Sequence, residues 1–255
     1  MYAEERQQAI ATLIGRRVRV SVAELSVLYG VTTETVRRDL AVLDRAGLIH
    51  RVHGGAMPVT LLPAPEQGLA DREKSMSGAK NSIAKAALTY LPPVGGSILI
   101  DAGTTTARMA SLIPPDRRLT MITNSVPIAA RLAAAPEANL HLLGGRIRGL
   151  TQAAVGPDAL SAVEPLLVDV AFIGTNALSS GHGLSTPDPE EAAIKRAMVK
   201  HANHVVVLAD SSKIGRDNLV RFAALSDIDV LVTDSGIDPA EAAELLERGV
   251  EVIRA

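Results

Sequence analysis

Two stretches of this sequence carry side chains whose types and spacing suit chemistry. In Val31-Thr-Thr-Glu-Thr-Val-Arg-Arg-Asp-Leu40, Thr32 is a good N-cap, and the helix it opens runs to about Ala46, with Gly47 as its stop. Val36, Leu40 and Leu43 share one face, which turns Glu34, Arg37 and Arg38 outward and leaves Thr33 and Thr35 in the first turn. Adjacent outward arginines behind N-terminal hydroxyls suit a DNA major groove, because arginine grips guanine edges bidentately while hydroxyls and free N–H groups hold phosphate. An ordinary solvated helix face is the alternative, and the flanking sequence weighs between them. The second stretch is Asp101-Ala-Gly-Thr-Thr-Thr106. Gly103 permits a sharp turn, and Thr104, Thr105 and Thr106 precede a helix start with unpaired N–H groups. That is an anion cradle, or else a threonine-rich cap with no ligand. Neither Gly-x-x-x-x-Gly-Lys nor Gly-x-Gly-x-x-Gly occurs, so a small phosphorylated ligand fits better than a nucleotide.

The elements around the arginine helix complete a pattern. Glu4 to Arg16 reads as a first helix with Ile10, Leu13 and Ile14 on one side, followed by Arg17 and Arg19. Ser21-Val-Ala-Glu24 is a capping box opening a second helix through Val22, Leu25 and Leu28, which ends at Tyr29-Gly30. Helix, helix, tight turn, helix is the helix-turn-helix arrangement with the last helix as reader. Leu48-Ile-His-Arg-Val-His-Gly-Gly55 is then a short β-like wing that brings Arg51 and His53 towards phosphates; His50 and His53 also suit plain surface positions. Asp39 points to the core side and orients an arginine rather than touching DNA. Residues 1–57 have net charge +2 and the remainder −4, consistent with a basic head on an acidic body.

The 255 residues suffice for a small domain and a medium one, and 47% hydrophobic content supports a buried core. Without cysteine there are no disulfides or thiolate metal sites, and no metal motif is present. No apolar run approaches membrane-span length and no basic, apolar leader opens the chain, so a soluble cytoplasmic protein is expected. Pro58, Pro63 and Pro65 mark residues 58–70 as a linker, dividing the chain into a 1–57 head and a 71–255 body. A helix with Ile83, Ala84, Ala87 and Leu88 on its apolar side follows. From Ser97 onward, apolar runs at 98–100, 121–122, 140–143, 170–173, 205–208 and 230–232 end in small polar tips. Helical stretches follow several of them, at 127–135, 190–201 and 239–248. Alternating strands and helices predict an α/β domain with a largely parallel sheet, whose ligands bind outside the carboxyl ends of the strands. There the tips, among them Thr123-Asn-Ser125, would gather. Lys80, Lys195 and Lys213 could add positive charge and Glu191 could accept from ligand hydroxyls, although each also suits an ordinary surface position.

Taken together these motifs resemble the DeoR family of bacterial sugar-catabolism regulators over nearly the whole chain. The resemblance rests on Val20-Ser-Val-Ala-Glu-Leu25, the 31–40 stretch and Arg51-Val-His-Gly-Gly-Ala56 in the head. In the body it rests on Asp101-Ala-Gly-Thr-Thr-Thr106, Thr123-Asn-Ser125, Gly144-Gly145, Glu191-Ala-Ala-Ile-Lys195 and Asp210-Ser-Ser-Lys213. It implies a winged helix-turn-helix and a sensor similar in fold to ribose-5-phosphate isomerases and coenzyme A transferases. It also implies repression of a sugar or polyol operon, relieved by a phosphorylated sugar. Lys80, Asp101, Gly103, Thr104, Thr105, Thr106, Thr123, Asn124, Ser125, Glu191, Lys195 and Lys213 are then the effector contacts. Two departures stand out: Ala79-Lys80 where the family often has Glu-Lys, and Gly174-Thr-Asn-Ala177 where a Gly-x-Gly-type turn is common. The second bears on which sugar fits.

The expected function is therefore a sequence-specific regulator of double-stranded operator DNA. Ser21, Thr33, Thr35, Arg37, Arg38, Arg51 and His53 serve as its DNA contacts, with no catalytic residue, cofactor or metal. A homo-oligomer, dimer or higher, matches paired half-sites. The rival is a sugar-phosphate isomerase with an appended DNA-binding head, in which Glu191 and Lys195, one helical turn apart, supply base and electrophile.

Overall fold

The computed structural model describes residues 3–15, 20–46, 48–52, 54–58, 66–135 and 137–255. His53, Gly47, Arg16, Arg17, Arg19 and residues 59–65 of the expected linker lie outside the described residues. The chain divides into two compact units, Met1–Glu66 and Gln67–Ala255.

The first unit holds α1 (Ala3–Gly15), β1 (Val20–Ser21), α2 (Val22–Tyr29), α3 (Thr33–Arg45), β2 (Ile49–Val52) and β3 (Gly55–Pro58). The three strands form an antiparallel sheet in the order β1-β3-β2. A Cβ on Gly55 would lie 2.2 Å from the Val20 carbonyl oxygen, so this tight β1–β3 crossing requires glycine. The capping box closes both ways: Ser21 Oγ accepts from Glu24 N at 3.1 Å, and Ser21 N donates to Glu24 Oε2 at 2.8 Å. Gly30 takes the left-handed φ of 63° that ends α2. Ile10, Ile14, Leu25, Val36, Leu40, Leu43 and Ile49 build the core. Leu28, expected on the apolar side of α2, is instead exposed. Tyr29, one full turn after Leu25, packs on the core in its place. Asp39 does orient an arginine, but the arginine is Arg6 of α1, whose Nε donates at 2.7 Å while Gln7 Nε2 donates at 2.8 Å. This buried contact ties the first helix to the third.

The second unit begins earlier than expected. Gln67 to Ala70, assigned above to the linker, belong to it: α4 spans Leu69–Lys74, and Leu69 N donates to the Leu150 carbonyl at 3.2 Å. Proline spacing cannot register this long-range bond. α5 (Ser77–Ala87) follows. A parallel sheet of seven strands forms the centre. In chain order these are β4 (Ser97–Ile100), β5 (Thr120–Thr123), β6 (Asn139–Leu142), β9 (Val168–Gly174), β12 (Ala202–Leu208), β14 (Val230–Thr233) and β15 (Glu251–Arg254). Between and after them run α6 (Thr104–Ala110), α7 (Val126–Leu132), α8 (Pro157–Val163), α9 (Pro189–Lys200) and α10 (Pro239–Glu247). All six anticipated apolar runs lie in this sheet, and β15 was not anticipated. Neither were the short strands β7 (Arg146–Arg148), β8 (Ala153–Val155), β10 (Ala177–Ser179), β11 (Gly183–Thr186) and β13 (Val220–Ala223), which are too brief to show a pattern.

Side chains alternate across the sheet, as period two requires. Ile98, Ile100, Phe172, Val206 and Leu208 face a layer containing Ile83, Ala84, Met109 and Ile128, from α5, α6 and α7. Leu99, Ala171, Ile173, Val205 and Val207 face Ala159, Ile194, Met198 and Leu245, from α8, α9 and α10. Helices thus cover both faces. The spatial order β15-β14-β12-β9-β4-β5-β6 means that the chain builds outward from β4 in one direction, then returns to its other side at β9. The connections leaving β4 and β9 therefore diverge and open a crevice beyond their carboxyl ends, where ligands bind in sheets of this kind. No helix among the described residues is long and apolar enough to cross a membrane.

Candidate functional site

In the first unit, α3 presents the expected outward face. Arg37 and Arg38 are exposed and share Glu34, at 3.8 Å and 3.4 Å. Exposed pairs of this kind contribute little, so both guanidiniums can leave Glu34 for a nucleic acid at small cost. The hydroxyls divide. Thr35 Oγ1 lies 2.9 Å from Thr32 Oγ1 in the N-terminal cap, while Thr33 is exposed beside it. Ser21 Oγ serves as a cap acceptor, which leaves its proton available for a phosphate. Arg51 is exposed on β2, and its N–H donates to Asp44 Oδ1 at 3.1 Å.

In the second unit, a pocket opens at the crevice. Gly103, Thr104, Thr105 and Thr106 line one side, Gly174 and Thr175 the end of β9, and Leu208, Ala209, Asp210 and Lys213 the end of β12. Gln67, Arg72, Ser75 and Lys80 close it from α4 and α5. The threonines do not precede α6; they are its first turn. Nor does Gly103 serve a turn, since its φ of 179° is open to any residue. Its reason is room, because a Cβ would meet Thr106 Oγ1 at 3.0 Å. Thr106 Oγ1 donates to the Gly103 carbonyl at 3.0 Å, whereas the Thr104 and Thr105 hydroxyls bond to no other described residue.

Arg72, Lys80 and Lys213 bring three cations to this wall against one carboxylate, Asp210. Burial holds both lysines below the ordinary lysine value, Asp210 pulls them back up, and Arg72 pushes them further down. Lys80 Nζ donates to the carbonyls of Arg72 and of Ser75, the latter at 2.7 Å. Cations crowded enough to depress one another are an arrangement that an anion relieves.

The other expected contacts stand behind the wall. Lys195 Nζ pairs with Asp101 and donates to the Gly174 carbonyl at 2.9 Å, while Gly174 N donates to Asp101 Oδ2 at 3.0 Å. Burial pushes the Asp101 carboxyl up, and Lys195 with the Gly174 amide pulls it back down. Lys195 and Asp101 thus position pocket-lining Gly174 without lining the pocket themselves. Thr123 Oγ1 donates to the Ile100 carbonyl at 2.6 Å, Asn124 Oδ1 accepts from Ala102 N at 3.0 Å, and Ser125 Oγ accepts from Ile128 N at 3.4 Å. These three brace the loops after β4 and β5 and do not line the pocket. Glu191 accepts from Thr151 Oγ1 and from Arg148 Nη1 at 3.1 Å, so it too lies outside the wall. The pair assigned to isomerase chemistry is therefore committed to internal partners.

Gln67, Arg72, Ser75 and Thr175 were not singled out from the sequence. Arg72 had a signal of its own, lying in Asp71-Arg-Glu-Lys74 just ahead of Lys80, but its convergence with Lys213 is long-range. Among the described residues no group of three His, Asp or Glu is placed to hold a metal ion.

The model of the DeoR-like helix-turn-helix domain matches residues 6–60, and that of the DeoR C terminal sensor domain matches residues 75–235. The HTH-type transcriptional regulator GlpR of Haloferax volcanii is 40% identical over 99% of this chain and 98% of its own length. The putative aga operon transcriptional repressor of Escherichia coli O157:H7 is 34% identical over 98% of this chain and 93% of its own. Among solved structures, ribose 5-phosphate isomerase A of Methanocaldococcus jannaschii is a distant likeness, with a TM-score of 0.41 and 20% identity over 55% of each chain.

If Lys195 and Asp101 act as a buried pair, Lys195→Met should destabilise the fold by about 3–5 kcal/mol, by stranding the carboxylate. Lys195→Met with Asp101→Leu should recover a good part of that loss in a urea-unfolding double-mutant cycle. Simple additivity of the two changes would mean that the pair is not coupled.

Proposed function

The chain belongs to the DeoR family of helix-turn-helix transcriptional regulators, and on that premise we propose that it represses a sugar or polyol catabolism operon and releases DNA on binding a phosphorylated sugar. The observation that carries the effector reading is the convergence of Arg72, Lys80 and Lys213 with the unbonded Thr104 and Thr105 hydroxyls in one pocket. Three cations and two hydroxyl donors match the oxygens of a phosphate. Asp210, the one carboxylate on the wall, is an acceptor for sugar hydroxyls. In the other unit, Arg37, Arg38 and Thr33 read bases and phosphates in the major groove, with Ser21, Thr35 and Arg51 on the backbone, and His53 as a further backbone contact.

The effector is bound without turnover. Glu191 and Lys195, the groups an isomerase would need free, are held by Arg148, Thr151 and Asp101, which supports this reading. The protein acts in the cytoplasm as a homo-oligomer whose paired heads meet paired half-sites. Release follows because the effector favours an arrangement of the heads that does not fit DNA; only such differential affinity shifts the equilibrium.

The first test is a thermal-shift screen of the full chain against sugar phosphates and their unphosphorylated parents. A cognate effector at a hundred times its dissociation constant should stabilise by about 2.7 kcal/mol, and the parent sugar should not. Equal shifts with both would remove phosphate from the recognition, and sustained conversion of any panel member would establish an enzyme.

Binding should also have a maximum in pH. Affinity rises as the effector phosphate loses its second proton near about pH 6. It falls as pH climbs through the lysine values, which lie below the ordinary 10.5, because the deprotonated amines no longer attract the anion. Calorimetric titration across pH checks this; affinity still undiminished at pH 10.5 would exclude Lys80 and Lys213 as contacts.

On the DNA side, Arg38→Ala should weaken operator binding by about 1–3 kcal/mol and relax the preference at one base position. Effector binding should be unchanged. Fluorescence anisotropy on DNA selected from a random pool measures both effects, and a uniform loss across sequences would reassign Arg38 to the phosphate backbone.

A further inference from the structure

The pocket walls differ in what holds them. Those from β4, β9 and β12 are ends of core strands, anchored by the side chains packed between sheet and helices. The wall from Gln67 to Ser75 is not: no residue of α4 is buried, and none belongs to either core cluster. Its attachments are polar. Leu69 N holds the Leu150 carbonyl at 3.2 Å, and Lys80 Nζ holds the carbonyls of Arg72 and Ser75. Arg108, on α6, reaches across with one nitrogen to Glu73, carbonyl and carboxylate, and with the other to Asn81 Oδ1 and the Ser77 carbonyl. Gln67, Arg72 and Ser75 also line the pocket, and α4 is the first helix of its unit along the chain from the DNA-reading head.

We propose that α4 is the element through which an occupied pocket acts on the head, and that Arg108 is a positioning residue coupling α4 to the anion cradle. The inference rests on the reading of the pocket as an anion site. Arg108 lies one turn beyond Thr104 on the same helix, so a shift of the cradle towards an anion moves the guanidinium that grips Glu73 and Asn81. Lys80 has three protons; two go to carbonyls at the end of α4, and an anion in the pocket takes the third. The anion also draws the Arg72 side chain, whose own carbonyl Lys80 already holds. Both links tighten α4 onto the pocket.

Two further observations mark this joint as able to take a second arrangement. Met76, at the elbow between α4 and α5, has a φ of 51°, a left-handed conformation unusual for methionine. Arg108 Nε is buried with no hydrogen-bond partner among the described residues, although both terminal nitrogens are bonded. An incompletely satisfied guanidinium is one that a small displacement can improve.

Hydrogen–deuterium exchange on the full chain tests this, with inorganic phosphate as the probe and thermal shift to score its binding. Phosphate should slow exchange in the 67–76 segment by about fivefold or more beyond whatever slowing global stabilisation brings to the β14 amides. Arg108→Lys should keep phosphate affinity within about threefold yet lose most of that slowing, because an ammonium cannot span Glu73 and Asn81 as the fork does. Stabilisation by phosphate with unchanged or faster exchange at 67–76 overturns the proposal and leaves the anion site standing. An Arg108→Lys protein that binds phosphate and slows fully removes Arg108 from the coupling. Absence of stabilisation by phosphate and by every sugar phosphate overturns both the coupling and the anion site. If Arg108→Lys does not fold, exchange in the unaltered protein still decides the role of α4.

Discussion

The second unit depends on one buried ion pair. Lys195 comes from α9, which packs on one face of the sheet, and Asp101 from the turn after β4, which leads to α6 on the other. They meet at the mouth of the crevice between β4 and β9, and both hold Gly174, the last residue of β9, by its carbonyl and its amide. A charge in that position would be costly alone, and the two satisfy each other only if both layers and both strands are in register. The pair therefore fixes the geometry at the place where the sheet changes direction. Everything polar that lines the pocket is arranged around this closed base.

In front of it the electrostatics reverse. Behind Gly174 the Lys195 ammonium is matched by the Asp101 carboxylate; on the open wall Arg72, Lys80 and Lys213 face the single carboxylate of Asp210. Burial above all lowers both lysines, Asp210 draws them back up and Arg72 pushes them down, a balance to which an anion would add a second negative partner. Helix α3 uses a different device. Arg37 and Arg38 stand in solvent and share Glu34, a weak contact that is given up at little cost. A sensor needs a pocket that prefers to be filled, and a reader needs side chains that are free to leave their partners. Each unit places its arginines accordingly.

The fold was legible wherever a local rule governs it. The Ser21–Glu24 capping box, the Thr32 cap, the Gly30 stop and six of the seven parallel strands follow from spacing that neighbouring residues determine. β15 closes the sheet after the last anticipated helix, β13 is held by β11 from more than thirty residues away, and β10 with β11 forms a hairpin whose strands are too short to show a pattern. The site divided in the same way. Gly103, Thr104, Thr105, Thr106, Lys80 and Lys213 line the pocket. Thr123, Asn124, Ser125 and Glu191, polar tips in the same sequence context, turn to backbone or to Arg148 instead.

By itself the sequence determined the two units, the third helix with its outward arginines, and the edge of the sheet at which the pocket opens. Those depend on periodicity, caps and strand order, which are properties of adjacent residues and of the handedness of the chain. Tertiary structure alone decided which polar side chains face the ligand and which brace the wall. It also made Arg72 a third cation, gave Asp39 to Arg6, and left α4 with no buried residue of its own. Whether a buried charge meets a partner or a cavity depends on atoms that arrive from as many as 94 residues away, and no local pattern encodes that meeting.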